Sequence, residues 1–138
     1  MIVTREKDNG LHMWEQQWID TRKGAVTKAF FPSVRKRLTQ KIPVFPELTS
    51  MLTGHGKIGS YLYRLGLTDN PIWPCEEEEQ TVNHLTFKCK KLRNQRNEMI
   101  RQIKNTGGNW PATNETLINN YQHFFIKFVK SLEISDLK

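Results

Sequence analysis

Apolar positions along the chain recur at helical spacing, three or four residues apart. Leu11, Trp14, Trp18 and Ile19 share one face of a first helix, behind a flexible lead over residues 1–10 that ends at Asn9-Gly10. Thr21 to Gly24 breaks that helix, and Thr27 to Phe31 reads as short and extended or irregular. Pro32-Ser33 opens a second helix with Val34 and Leu38 inward, and Pro43 ends it. Pro46 starts another, carrying Leu48, Met51 and Leu52. After Gly54-His55-Gly56, residues Ile58, Tyr61, Leu62 and Leu65 line a helix that stops at Gly66. Asp69 to Gln80 is a loop, and Thr81 is placed to cap a helical segment. Leu92, Met99, Ile100 and Ile103 continue the pattern to Gly107-Gly108. A last helix over 114–134 carries the clearest stripe: Leu117, Tyr121, Phe124, Phe125, Phe128 and Leu132. No segment alternates as a strand does. The expectation is an all-α fold, a small bundle of about five helices forming a single domain over residues 11–138, with a knuckle-like turn over 71–91.

Charge changes this picture. The 138 residues carry a net +7, which makes a polyanion the first partner to consider. No apolar run is long enough to span a membrane, and the charged N-terminus lacks the apolar stretch of a secretory signal. An intracellular protein of the nucleus or cytoplasm is expected. In such a compartment the two cysteines, Cys75 and Cys89, are not expected to form a disulfide. They are either small buried thiols or ligands of a shared metal.

The chemistry-bearing stretch is Cys75, then His84, then Cys89 five positions further on. Thiolates and imidazole are the ligands zinc prefers, and neighbours in sequence chelate cheaply. The fourth position is open to one of Glu76 to Glu79, to His55 or to water. The alternative is a metal-free knuckle held by packing, with Trp73 filling the space. No serine sits in a nucleophile-elbow setting, and Gly54-His55-Gly56 is too short to cradle a phosphate. Its histidine is expected to bond the backbone and fix the turn. Glu76 to Glu79 read as a solvated loop. No enzyme activity is expected.

Leu52-Thr53-Gly54-His55-Gly56, Tyr61-Leu62-Tyr63-Arg64-Leu65-Gly66, Pro71-Ile72-Trp73-Pro74-Cys75, His84-Leu85 and Cys89 together resemble a known family. It is the C-terminal, zinc-knuckle-like domain of non-LTR, LINE-type retrotransposon reverse transcriptases, of the jockey-like insect group. Trp14-Glu15-Gln16-Gln17-Trp18, Lys23-Gly24 and Phe31-Pro32 look like the segment that joins this domain to the catalytic parts, so the resemblance covers roughly residues 11–100. It implies a zinc-binding tail that engages element RNA or target DNA, with Cys75, His84 and Cys89 matching three of the ligands. Trp73 stands where the family places its first ligand and cannot coordinate. The family's polymerase and RNase H carboxylates fall outside the matching segments.

Two basic clusters are candidates for phosphate contact. One is Arg35, Lys36 and Arg37, with Lys41 beyond. The other is Lys88, Lys90, Lys91, Arg93, Arg96, Arg101 and Lys104. Arg96 could equally cap a carboxylate or a helix end. Trp73 and Trp110 are candidates for base stacking, though packing is the plainer role for each. The expected function is a nucleic-acid-binding accessory domain derived from a retrotransposon reverse transcriptase, with RNA or DNA as partner. The rival is a domesticated, helical protein-interaction module, with a protein partner or a second copy docking on the aromatic final helix.

Overall fold

A computed structural model describes residues 2–72 and 75–132. Its helices are α1 (Ile2–Asp20), α2 (Ala25–Phe30), α3 (Val34–Thr39), α4 (Pro46–Thr53), α5 (Gly59–Arg64), α6 (Arg93–Asn105), α7 (Asn114–Asn120) and α8 (Gln122–Ser131). A π-turn (His84–Lys88) and a 3-10 turn (Lys90–Leu92) lead into α6. Among the described residues there is no strand, and the protein is a small all-α fold. No described helix is long and apolar enough to cross a membrane.

Local chemistry starts several of these elements. The Ser33 hydroxyl accepts the Lys36 N–H, and the Thr113 hydroxyl accepts the Thr116 N–H, each satisfying an orphan donor of a first turn. Pro46 stands at the start of α4, where its missing N–H costs nothing. Thr81 caps as expected, its hydroxyl accepting the His84 N–H at 3.1 Å.

Packing then selects the arrangement. α6 lies along α8, which also meets α4, while α2 packs against α7 and α4. Phe30, Met51, Ile58, Met99, Ile103 and Phe125 are fully enclosed between these elements. The loop holding Cys75 is tied to the start of α5. The Gly59 N–H donates to Gln80 Oε1 at 2.6 Å, and the Ser60 N–H to the Gln80 carbonyl at 3.0 Å.

Four expectations need correction. Residues 2–10 belong to α1, because a single glycine costs a helix only about 1 kcal/mol and Gly10 does not end it. The Thr27–Phe31 stretch is mostly helical, because closing α2 buries Phe30 against Phe125. The last helix is broken at Tyr121, whose φ of −124° and ψ of 28° leave the helical region, while the stripe carries on across the break. Residues 133 and 134 of that expected helix lie outside the described residues. Leu38, expected inward, is 53% exposed, as is Leu65, expected on one face with the buried Ile58.

Candidate metal centre and cationic surface

The π-turn explains how His84 and Cys89 meet. Five positions in an α-helix rotate a side chain by about 140° to a different face. Here the Cys89 N–H bonds the His84 carbonyl at 2.7 Å, the wider ring of a π-turn, and both side chains face one buried spot. Cys75 arrives from the opposite side. Its turn is closed by the Glu76 N–H donating to the Ile72 carbonyl at 2.8 Å. Glu76 takes a φ of +60°, a conformation a residue with a Cβ adopts only when its surroundings impose it.

Cys75 Sγ lies 3.1 Å from His84 Nε2, and the ligand atoms of Cys75, His84 and Cys89 all fall within 4.8 Å of one another. All three residues are buried. Tetrahedral zinc, with bonds of about 2.0–2.3 Å, needs ligand atoms about 3.5–3.8 Å apart. The cluster would need only small adjustments to meet that spacing. The other ring nitrogen, Nδ1, is buried and makes no hydrogen bond, but it lies 3.3 Å from a Glu78 carboxylate oxygen, within reach of charge attraction though out of line. A carboxylate behind a ligating histidine fixes its tautomer and raises its basicity. Burial pushes the Cys89 thiol up. The N–H groups of Lys91 and Leu92, pointing at its sulfur, draw it down, and the Cys75 thiol beside it adds to the rise. The donor set therefore fits zinc.

The suggested fourth ligands do not join these three among the described residues. Glu78 stands behind the imidazole. His55 stacks on Tyr61 instead, and among the described residues its ring makes no bond to the backbone of the kind expected above. Trp73, the residue at the family's first ligand position and a stacking candidate, lies outside the described residues. The other stacking candidate, Trp110, packs against Phe87 with ring centroids 5.8 Å apart.

Arg96 has a structural post. It is buried, and its guanidinium donates to the carbonyls of Leu85, Thr86 and Cys89 at 3.0, 2.8 and 3.0 Å. The widened turn strands those carbonyls, and the planar fork reaches all of them. Its assignment to a nucleic-acid surface is corrected accordingly. Lys90 pairs with Glu77 at 2.8 Å, and Arg101 pairs with Glu98. Lys88, Lys91, Arg93 and Lys104 are exposed, and among the described residues their side chains are in no ion pair or hydrogen bond. On α3, Lys36 lies 3.8 Å from Glu115, and Arg37 lies over the Phe31 ring. Arg35 sits beside Glu15, whose carboxylate accepts the Val34 and Arg35 N–H groups at 3.1 and 3.0 Å. No sequence signal pointed to Glu15, since the contact spans nineteen and twenty positions.

These features define a class: a small helical fold built round a buried Cys–His–Cys cluster, with lysine and arginine beside it. Among proteins of known type, the sequence is similar to Pol polyproteins of R1 retrotransposable elements. It is 34% identical over 80 residues to the retrovirus-related Pol polyprotein from type-1 retrotransposable element R1 of Bradysia coprophila, covering 57% of this chain and 8% of that protein. It is 30% identical over 81 residues to the corresponding polyprotein R1 3 of Nasonia vitripennis, covering 57% and 21%, and 26% identical over 87 residues to R1 2 of the same organism, covering 62% and 21%. The chain thus matches at most about a fifth of the length of these curated relatives. The likeness supports a retrotransposon-derived origin, of the non-LTR, LINE type. No protein-family description matches the chain. No solved structure matches it either.

Proposed function

We propose that the chain is a nucleic-acid-binding accessory domain of reverse-transcriptase origin, without catalysis of its own. The observation that carries this reading is the placement of Lys88, Lys91 and Arg93. These exposed cations flank Cys89 on a segment that the thiol–imidazole cluster and the Arg96 fork hold rigid. Rigid cations meet phosphates with little ordering cost and give affinity without sequence readout. Lys104, on the same face of α6 as Arg93 about three turns along, extends the surface.

Cys75, His84 and Cys89 would hold a zinc ion, with Glu78 orienting the imidazole. Zinc would supply folding energy, because its ligands are gathered only in the folded chain. The Cys75–His84 contact resembles a nucleophile with its base. Both side chains are buried, however, so a substrate's reacting atom does not reach the sulfur.

The test is a gel-shift titration of salt on unstructured single-stranded RNA. Four phosphate contacts predict a log–log slope of about −3. A slope near zero rejects the reading. Elemental analysis is expected to find one zinc per chain, and a chelator to lower the melting temperature. A second reading, a protein-interaction module, is favoured by an apolar groove of about 520 Å³ between α1, α3 and α4, lined by Trp14, Trp18, Leu38 and Val44. Oligomer formation in light scattering, with no RNA affinity, would select it.

A further inference from the structure

The Gly54-His55-Gly56 turn belongs neither to the metal cluster nor to the cationic surface, yet it is held closely in place. Gly54 and Gly56 have φ of +74° and +73°, the left-handed region that glycine enters without penalty. A Cβ on Gly54 would come within 2.9 Å of Val26 on α2, and one on Gly56 within 2.5 Å of the Ser50 hydroxyl on α4. The Thr53 hydroxyl accepts the His55 N–H at 3.2 Å and donates to the Thr49 carbonyl at 2.7 Å.

This close fit presents a single ring. His55 is exposed, and its imidazole lies on the Tyr61 ring with centroids 4.3 Å apart and planes 19° apart. One face of the imidazole is taken by Tyr61, and the residue itself is exposed to solvent. The Arg64 guanidinium lies over Tyr61 at 5.7 Å, and Lys57 is exposed two positions beyond His55. Neither Lys57 nor Arg64 is in an ion pair among the described residues. α5, which carries Tyr61 and Arg64, is bonded to Gln80 of the loop that holds Cys75, so the stacked rings and the metal cluster belong to one continuous framework.

A flat, preorganised, solvent-exposed ring, with one cation two positions on and another over the Tyr61 ring that backs it, matches the needs of an unpaired base and its phosphates. We propose that His55, backed by Tyr61, is a stacking platform for a base of single-stranded nucleic acid, with Lys57 and Arg64 taking the adjoining phosphates. The proposal rests on the nucleic-acid reading above and adds to it a contact that a duplex, with its bases already stacked, does not make.

Fluorescence anisotropy on the full chain tests it with three labelled probes: an unstructured mixed-sequence single strand, the matching duplex, and heparin, a polyanion without bases. His55→Ala is expected to weaken single-strand binding about tenfold and to leave duplex and heparin binding within about twofold. His55→Phe, which keeps a flat ring, is expected to bind the single strand within about threefold of wild type. Unchanged single-strand affinity in His55→Ala would overturn the proposal while leaving the phosphate reading intact. An equal loss for heparin, or no rescue by phenylalanine, would also overturn it. A wild-type chain that binds none of the probes sinks both readings together. Should His55→Ala fail to fold by circular dichroism, the contrast between His55→Gln and His55→Phe decides in the same way.

Discussion

The two basic clusters look alike on paper and differ in three dimensions. On α3, each cation has a partner supplied by the fold: Arg35 beside Glu15, Lys36 near Glu115, Arg37 over Phe31. Around Cys89 the charges divide. Arg96 is enclosed, Lys90 and Arg101 are paired with glutamates, and Lys88, Lys91, Arg93 and Lys104 stand in solvent, in no ion pair among the described residues. The first group packs beside α1 and close to α7, whose carboxylates reach it. The second rides on a turn whose buried side holds the thiols, so Lys88 and Lys91 face solvent while Lys90 reaches Glu77. What opposes a cation decides whether its charge is available to a ligand.

The sharpest way to break this comparison is to treat Arg96 as one more surface charge. Arg96→Met leaves the Leu85, Thr86 and Cys89 carbonyls without their donor in a buried turn. We expect a loss of about 3 kcal/mol in urea unfolding. Arg96→Lys should recover only part of it, since an ammonium cannot bridge three carbonyls as a planar fork does. Arg37→Met, which removes a half-buried cation from over the buried Phe31 ring, should cost about 1 kcal/mol or less. Equal costs at the two positions would mean that Arg96 is not the fastener of the π-turn.

Next in size is the effect on polyanion binding. Lys91→Gln combined with Arg93→Gln should make the single-strand salt slope shallower by about 1.4, at about 0.7 per lost charge, with stability within about 0.5 kcal/mol of wild type. Arg35→Gln combined with Lys36→Gln should change the slope by less than half as much, because each charge is already opposed by a carboxylate. Gel shifts at several salt concentrations read both. A larger change from the α3 pair would invert the comparison and move the nucleic-acid surface to α3.

Much of the fold was legible because helix faces leave a period in the chain. Leu48 with Met51, Met99 with Ile103, and Leu117, Phe125, Phe128 and Leu132 of the final stripe are buried as their spacing implied, with Tyr121 and Phe124 half-buried. The clustering of Cys75, His84 and Cys89 was legible too, since their short spacings suggested that the three side chains meet. The π-turn that joins the last two was not, because spacing names the partners and leaves the ring that unites them open. α2 was missed because Val26 and Thr27 are weak helix formers, and the gain comes from burying Phe30 at a distance. Leu38 was placed inward because periodicity says which residues share a face and is silent on whether anything covers it. The fate of each cation was hidden for a related reason. Glu15 finds α3 only after the chain has turned back on itself.

Glu15 also gives the smallest and most specific prediction. Its carboxyl is held below the usual carboxylate range, chiefly by the Arg35 N–H, with the Val34 N–H assisting and partial burial opposing. On acidification the unfolded chain protonates first, at the ordinary value, while the folded chain resists until the lowered one. Between those values the unfolded state binds more protons, so stability rises with pH there. The contribution is complete above the ordinary carboxylate value and is lost as pH falls through the depressed one. The group is exposed to solvent, so the effect is small. Urea midpoints measured against pH should show wild type ahead of Glu15→Gln at neutrality and the gap closing in acid. The same substitution removes the anion beside Arg35, and the salt slope of polyanion binding should steepen slightly. A gap that stays constant into acid would mean that Glu15 holds α3 by shape rather than by charge, and the quenching of the α3 cations would then need another source.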